Sequence, residues 1–374
     1  MKLGRRRAIQ IGAGCSLGWW LAACGGDGAD GESEGVTMHD GSFSMPAEEA
    51  PHRATWMCFP GRRDVWGGRL LPEVQQTIAG IGLAIAEYEP VRMLVASDDL
   101  ALARHLVGTD IELIDAPVDD LWARDTLPLF VVSEAGELAA GRVRFNGWGR
   151  KQVHDGDETL AALVADIVGV DLIDSGLVGE GGGLETDGHG TLMAARSSWV
   201  NDNRNPGIGE REIADTLTDL LGADRLLWVD GVAGEDITDG HIDTLARFAD
   251  PTTIVNEFPS YVEPGEVWYD LAIDTAEALA GFRTPDGEPY ELVTLRQPAA
   301  PRGAGADFVI SYVNYYVCNG AVIVPEFGDA AADAQAAEVI GELHPGREVV
   351  ALNIDPVAAG GGGIHCATQQ QPAV

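Results

Sequence analysis

Residues 72–96, "PEVQQTIAGIGLAIAEYEPVRMLVA", place apolar side chains at helical spacing behind one proline, then run past a second proline into a short, almost unbroken apolar segment. Proline suits a first helical turn, whose N–H groups have no partner in the helix, so the spacing predicts a helix over 72–89 and a buried strand over 91–96. This helix-then-strand unit recurs along the chain. Helices are predicted near 98–107, 157–168, 209–221, 270–281 and 329–343, and strands near 111–116, 127–133, 170–174 and 191–195. The last three helices are each followed by a strand-like run, "RLLWVD", "ELVTLR" and "EVVALNI". Residues 311–325, "SYVNYYVCNGAVIVP", read as a hairpin turning at Asn319-Gly320, a pair suited to the positive φ angles of a type I′ turn. The class is therefore α/β. No break in composition interrupts residues 46–374, which read as one domain, and periodicity alone leaves open sheet, barrel and propeller equally open.

Acidic residues outnumber basic ones 59 to 24, for a net charge of −35. A nucleic-acid backbone would be repelled at long range, whereas a cationic partner would be drawn in; solubility or life in high salt explains the same excess. The first 23 residues have adjacent arginines, Arg5, Arg6 and Arg7, ahead of an apolar stretch and a small-residue exit. That is the pattern of an export signal of the twin-arginine type. Leu21-Ala22-Ala23-Cys24 further resembles a bacterial lipobox, so the expectation is cleavage before Cys24 and a lipid on that cysteine. The chain would then sit on the periplasmic or cell-surface side and touch the membrane only through the lipid. An ordinary membrane anchor is the alternative, though the apolar stretch is short for one. Residues 24–45, rich in Gly, Asp, Glu and Ser, are expected to form a flexible acidic tether. Cys58, Cys318 and Cys366 remain in the body of the chain, an odd number; Cys58 and Cys318 either pair or lie buried as free thiols.

Four stretches gather reactive residues beside glycine or tryptophan: "WARDTLP" (122–128), "GEGGGLETDGHGT" (179–191), "EDITDGHIDTLARF" (235–248) and "GGGGIHC" (360–366). Together they supply Asp125, Glu180, His241, Asp243 and Cys366. Carboxylates in a desolvated pocket favour a planar cation with several N–H donors, and a guanidinium is such a cation, with a carbon open to attack by a thiolate. Each piece also has a plainer reading. Asp125 could pair locally with Arg124, Glu180 could cap its glycine turn, His241 could be an exposed loop residue, and a cysteine among apolar neighbours is usually inert. His241 and Asp243, two apart, would share one face of an extended strand. Neither Cys-x-x-Cys nor His-x-x-x-His spacing occurs, so no metal site is expected.

These stretches, with "RATWMCFP" (53–60), "NRNPG" (203–207), "SYVNYYVCNGAVIVPEF" (311–327) and the closing "TQQQP" (368–372), resemble the agmatine deiminase and Porphyromonas-type peptidylarginine deiminase family of the guanidino-group-modifying (pentein) superfamily. The resemblance covers almost all of residues 50–374. It implies a five-bladed α/β propeller of ββαβ-type units around a central channel. It also implies that Cys366 is the nucleophile, His241 the general acid/base, and Asp125 and Asp243 the guanidinium clamps. Glu180 would stand beside the histidine, Trp122 would wall the channel, and Asn314 would lie close to the site. No cofactor or metal is implied. The implied reaction turns agmatine and water into N-carbamoylputrescine and ammonia through a covalent thiouronium on Cys366. The alternatives are a peptidylarginine or free-arginine deiminase, and a lipid-anchored protein that binds cationic amines without turnover. Oligomeric state is not legible. One departure is local: Gly363 stands where the family commonly has asparagine in Gly-Gly-Gly-Asn-Ile-His-Cys. The other is the export signal, since typical agmatine deiminases look cytoplasmic.

Overall fold

The helices over Glu210–Leu221, Val267–Gly281 and Ala330–Leu343 each carry the chain across a sheet so that the next strand can pair in parallel with the one before the helix. Parallel pairing needs such a crossover. The structure, a computed structural model, describes residues 43–374 apart from residue 306. Among the described residues there are five sheets. Three repeat one plan of a short antiparallel hairpin, a helix and a parallel third strand. The third sheet holds Leu184–Thr186, Thr191–Ala195 and Arg225–Val229. The fourth holds Ala246–Asp250, Thr253–Phe258 and Glu291–Arg296, and the fifth Tyr316–Cys318, Ala321–Glu326 and Glu348–Asn353.

The second sheet follows the same plan with Leu129–Ser133, Leu138–Arg144, the helix Leu160–Val168 and Leu172–Val178. The first is assembled from both ends of the described chain. Gln369–Pro372 pairs antiparallel with His52–Cys58, and Val91–Val95 and Glu112–Asp115 extend the sheet in parallel. The hydrophobic core is shared between neighbours. Trp56 and Leu94 of the first sheet pack with Phe130 and Leu160 of the second unit, and Val131 of the second with Leu192 and Leu217 of the third. Met193 of the third meets Ile254 of the fourth, while Val255, Tyr316, Met57 and Met93 share a cluster joining the fourth, fifth and first. Each blade buries its apolar faces against the next, and the fifth meets the first: a five-bladed α/β propeller.

Several expectations shift. The segment read as signal (1–23), Cys24 and residues 24–42 of the expected tether lie outside the described residues. The tether does not extend to 45, however. Phe43–Ser44 add an antiparallel edge strand to Leu129–Ser133, and Met45 is buried with its N–H bonded to the Leu221 carbonyl at 2.9 Å. Met45 and, partly buried, Phe43 pack into the cluster that holds Val131 and Leu221. The first helix begins earlier than predicted, running Arg63–Ala86 with a break at Gly67 (φ 69°), so Pro72 is not in its opening turn. The hairpin turns at Asn319-Gly320, but neither residue has positive φ, so it is not type I′. Asn319 is tied instead to another blade: its side chain bonds the His52 backbone N–H and C=O, both at 2.8 Å, and its own N–H donates to Glu89 Oε2 at 2.7 Å. Cys58 and Cys318 are buried free thiols.

Candidate active site

Each sheet is entered through a loop, and each of the five loops carries a residue singled out above. Asp125 precedes the strand at Leu129, Glu180 that at Leu184, His241 and Asp243 that at Ala246, Asn314 that at Tyr316 and Cys366 that at Gln369. Because the blades repeat one plan around a ring, equivalent loops meet at one place. Gly182 marks it. A Cβ there would lie 2.8 Å from both Asp125 Oδ1 and His241 Nδ1 and 3.1 Å from Asp243 Oδ2, so only glycine lets these groups converge. Its N–H donates to Asp125 Oδ1 at 3.0 Å.

The cysteine is pinned between two blades. Asn314 Nδ2 approaches Cys366 Sγ at 3.1 Å and donates to the Asp243 carbonyl at 3.1 Å, while its Oδ1 accepts the Cys366 N–H at 3.3 Å. Cys366 Sγ lies 3.4 Å from Asp243 Oδ2. Burial, then Asp243 and Asp125, push the thiol well above its ordinary pKa. A Cβ on Gly363 would stand 2.5 Å from Asn314 Oδ1, so a side chain there requires the carboxamide that holds Cys366 to shift.

His241 sits between carboxylates, with Nε2 3.3 Å from Glu180 Oε2 and Nδ1 3.8 Å from Asp125 Oδ1. Burial opposes its charge, but Asp125, Glu180 and Asp243 outweigh it and raise the imidazole to about 9. It is therefore a charged proton donor at neutral pH. His241 and Asp243 do not share a strand face. His241 is extended and Asp243 lies in the 3₁₀ turn Ile242–Thr244, and the turn, rather than strand alternation, brings both into one pocket.

The plainer readings of the acids do not hold in this geometry. Arg124 turns away from Asp125 to bond Glu48 Oε2 at 3.1 Å and Gln370 Oε1 at 2.8 Å. Asp125 accepts instead from Trp148 Nε1 at 2.9 Å, and burial, the largest influence, raises its pKa. Glu180 makes no cap; its Oε1 accepts from Arg204 Nε at 2.9 Å. Asp243 Oδ2 accepts from His365 Nδ1 at 2.8 Å. Burial works against the Asp243 charge, but His365 and His241 outweigh it and hold the pKa low.

Behind His365 lies a charge cluster that the motifs did not reveal. His365 Nε2 is 3.0 Å from Glu48 Oε2, and Glu48 also meets Arg247 at 3.0 Å and the Val317 N–H at 2.9 Å. His365 could have been noticed, standing beside Cys366 in a quoted stretch; Glu48, in an unremarkable acidic run, offers no local signal. Trp122, only 6% exposed, lines the cavity of about 540 Å³ that reaches Cys366, together with Trp66 and Trp148. A sulfur nucleophile, a charged imidazole and paired carboxylates around one point can grip a planar cation and exchange groups at its carbon.

The model of the Porphyromonas-type peptidyl-arginine deiminase family matches residues 44–372. The chain belongs to that family. A "putative agmatine deiminase" of Streptomyces coelicolor is 36% identical over 343 residues, covering 88% of this chain and 99% of that protein. One so named from Legionella pneumophila strain Paris is 33% identical over 333 residues, covering 88% and 95%. Among solved structures, the agmatine deiminase of Enterococcus faecalis superimposes with a TM-score of 0.82 at 28% identity, covering 88% of this chain and 96% of that one. A "putative arginine deiminase" of Porphyromonas gingivalis does so with 0.79 at 33% identity, covering 88% and 98%. The family's members act as hydrolases on guanidino groups, and the chain is an enzyme of this kind.

Proposed function

We propose that this enzyme hydrolyses agmatine to N-carbamoylputrescine and ammonia, with Cys366 as nucleophile and His241 as general acid/base. The observation that carries the substrate choice is the charge of the cavity wall. Asp120, Asp125, Asp236, Asp243, Glu257 and Asp307 line it, and among the described residues no Lys or Arg does. A ligand with a guanidinium at one end and an ammonium at the other is favoured along this wall, whereas the carboxylate of free arginine would find no cation there apart from His241, which Glu180 and Asp125 already hold. The relatives named for agmatine deimination agree with this reading.

In this reading Asp125 and Asp243 grip the guanidinium and set its carbon against Cys366 Sγ. The thiol of the free enzyme keeps its proton, because its nearest charged neighbours are carboxylates. The arriving cation neutralises them, and the thiol then loses its proton to solvent as its sulfur attacks. The C–S bond forms, His241 donates a proton to the departing nitrogen, and ammonia leaves a thiouronium. A water then gives a proton to His241 as its oxygen attacks the same carbon. The C–S bond breaks, the sulfur takes back its electron pair together with the hydroxyl proton of the adduct, and the ureido product leaves the resting thiol. Glu180 and Asp125 hold the imidazole charged for the first transfer.

The test is ammonia and ureido-product release by residues 25–374, offered agmatine, free arginine and a blocked arginyl peptide. Agmatine is expected to have the highest kcat/KM, by about a hundredfold or more over free arginine, as befits an uncompensated buried charge. Preference for the peptide would move the function to protein citrullination, and binding without turnover of any of the three would make the chain a capture protein. We propose also that the enzyme is exported and anchored through Cys24, a reading supported by Arg5–Arg7 and Leu21-Ala22-Ala23-Cys24. Mass spectrometry of the protein from its native host should find a lipidated Cys24 as the first residue; an intact, unmodified N-terminus would end that proposal.

A further inference from the structure

Seven buried side-chain polar atoms among the described residues have no hydrogen-bond partner, and three of them belong to residues of the one cavity that reaches Cys366. Asp243 Oδ1 is the first, and the proposed reaction uses it on the guanidinium. The other two, Glu257 Oε1 and Thr275 Oγ1, have no place in that chemistry. They come from elements packed against each other, the strand Thr253–Phe258 and the helix Val267–Gly281. Unsatisfied buried acceptors are rare in folded proteins because each costs the free energy of a lost hydrogen bond, so a pair from two touching elements at one cavity wall points to a ligand donor.

Glu257 is built for a cation. It is 6% exposed, its Oε2 accepts from the Val313 N–H at 3.1 Å and the Ser311 hydroxyl at 3.3 Å, and no basic side chain among the described residues pairs with it. Burial, only partly offset by those bonds, pushes its carboxyl up to about 8. Free, it holds its proton at neutral pH; an arriving cation displaces that proton to solvent. The other acids outside the reaction centre are less available. Asp120 spends Oδ1 on Trp66 and the Leu121 N–H and Oδ2 on Gln152, Asp236 is half-buried with Oδ1 taken by Thr238 and Gly240, and Asp307 is exposed, so solvent serves the last two.

We propose that Glu257 Oε1, with Thr275 Oγ1, receives the terminal ammonium of the substrate and so selects diamine-like guanidines over those that end in an apolar or acidic group. The inference rests on the agmatine reading above. Glu257→Gln keeps an oxygen for Val313 and Ser311 and replaces the unpartnered acceptor with an amide donor, so the fold should be retained. Agmatine and 1-butylguanidine, which lacks only the ammonium, separate the roles. The expected result is an agmatine KM raised at least about tenfold with kcat little changed, and a butylguanidine KM unchanged or lowered. Thr275→Val should raise the agmatine KM alone, by a smaller factor, and stands in should the glutamine variant fail to fold. Equal effects on both substrates would show a structural role and overturn the inference, as would an unaltered enzyme that does not distinguish the two compounds. Failure of the unaltered enzyme to turn over agmatine at all would instead refute the reading beneath it.

Discussion

Cys366→Ser is expected to lower agmatine turnover by at least about 10⁴-fold while leaving agmatine binding within a few-fold, because the hydroxyl fills the thiol's space without its nucleophilicity. The carboxylates proposed to grip the guanidinium are untouched. Asp243 keeps its bond from His365, and Asp125 those from Trp148 and the Gly182 N–H. Calorimetric titration of agmatine into the variant reads the binding, and ammonia release reads the loss. The same thiol gives a pH signature in the unaltered enzyme. With burial, Asp243 and Asp125 raising its pKa well above the usual value, Cys366 in the free enzyme should react slowly with iodoacetamide at pH 7, and ever faster as pH rises past 9. Rapid alkylation at pH 6 to 7 would mean a preformed thiolate, and a different account of its activation.

Glu48→Gln should produce the largest loss of stability. Glu48 is 7% exposed and meets Arg124, Arg247, His365 and the Val317 N–H. Burial disfavours its charge, but Arg247, His365 and Arg124 overcome that and hold its pKa well below the carboxylate range. Removing one partner of a buried pair typically costs about 3–5 kcal/mol, a large part of the stability of a domain. Here Arg124 keeps Gln370 and Arg247 keeps Glu185, each at 2.8 Å, so a loss of about 3 kcal/mol is expected. Urea unfolding measures it, with the exposed Glu87→Gln as a control that should stay within about 0.5 kcal/mol. Activity should fall as well, because Glu48 holds His365, which in turn holds Asp243. A shift no larger than the control's would show that the cluster contributes nothing net.

The helix-then-strand rhythm was legible because each repeating unit buries an amphipathic helix on an apolar strand, as at Val74, Ile78, Ile81 and Ile85 above Val91 and Met93. Closure of the ring was not. The strand that completes the first sheet is "QQQP", polar in composition yet buried, because Gln371 bonds Trp56, Gln370 bonds Arg124 and Gln369 bonds the Pro128 carbonyl. Polar side chains held by hydrogen bonds to Trp56 of their own sheet and to Arg124 and Pro128 of the next unit carry no apolar periodicity. For the same reason Asn319-Gly320 misled about turn type, since bonds to His52 and Glu89 from another blade override the local preference. At the site, Asp125, Glu180, His241, Asp243 and Cys366 were legible as chemistry, while Glu48 and Trp148 belong to none of the quoted stretches, and Arg204, within "NRNPG", gives no local sign of its bond to Glu180. Glu257 sits in an ordinary strand sequence and acquires its character only from burial beside Ser311 and Val313.

The central claim is that Cys366 bonds to the guanidine carbon of agmatine, and rapid acid quench followed by mass spectrometry of the Cys366 peptide addresses it directly. During turnover the account predicts a modified Cys366 whose mass has grown by agmatine less ammonia, and no such species in Cys366→Ser. Undiminished turnover in the serine variant, with no adduct on the cysteine of the unaltered enzyme, would contradict it.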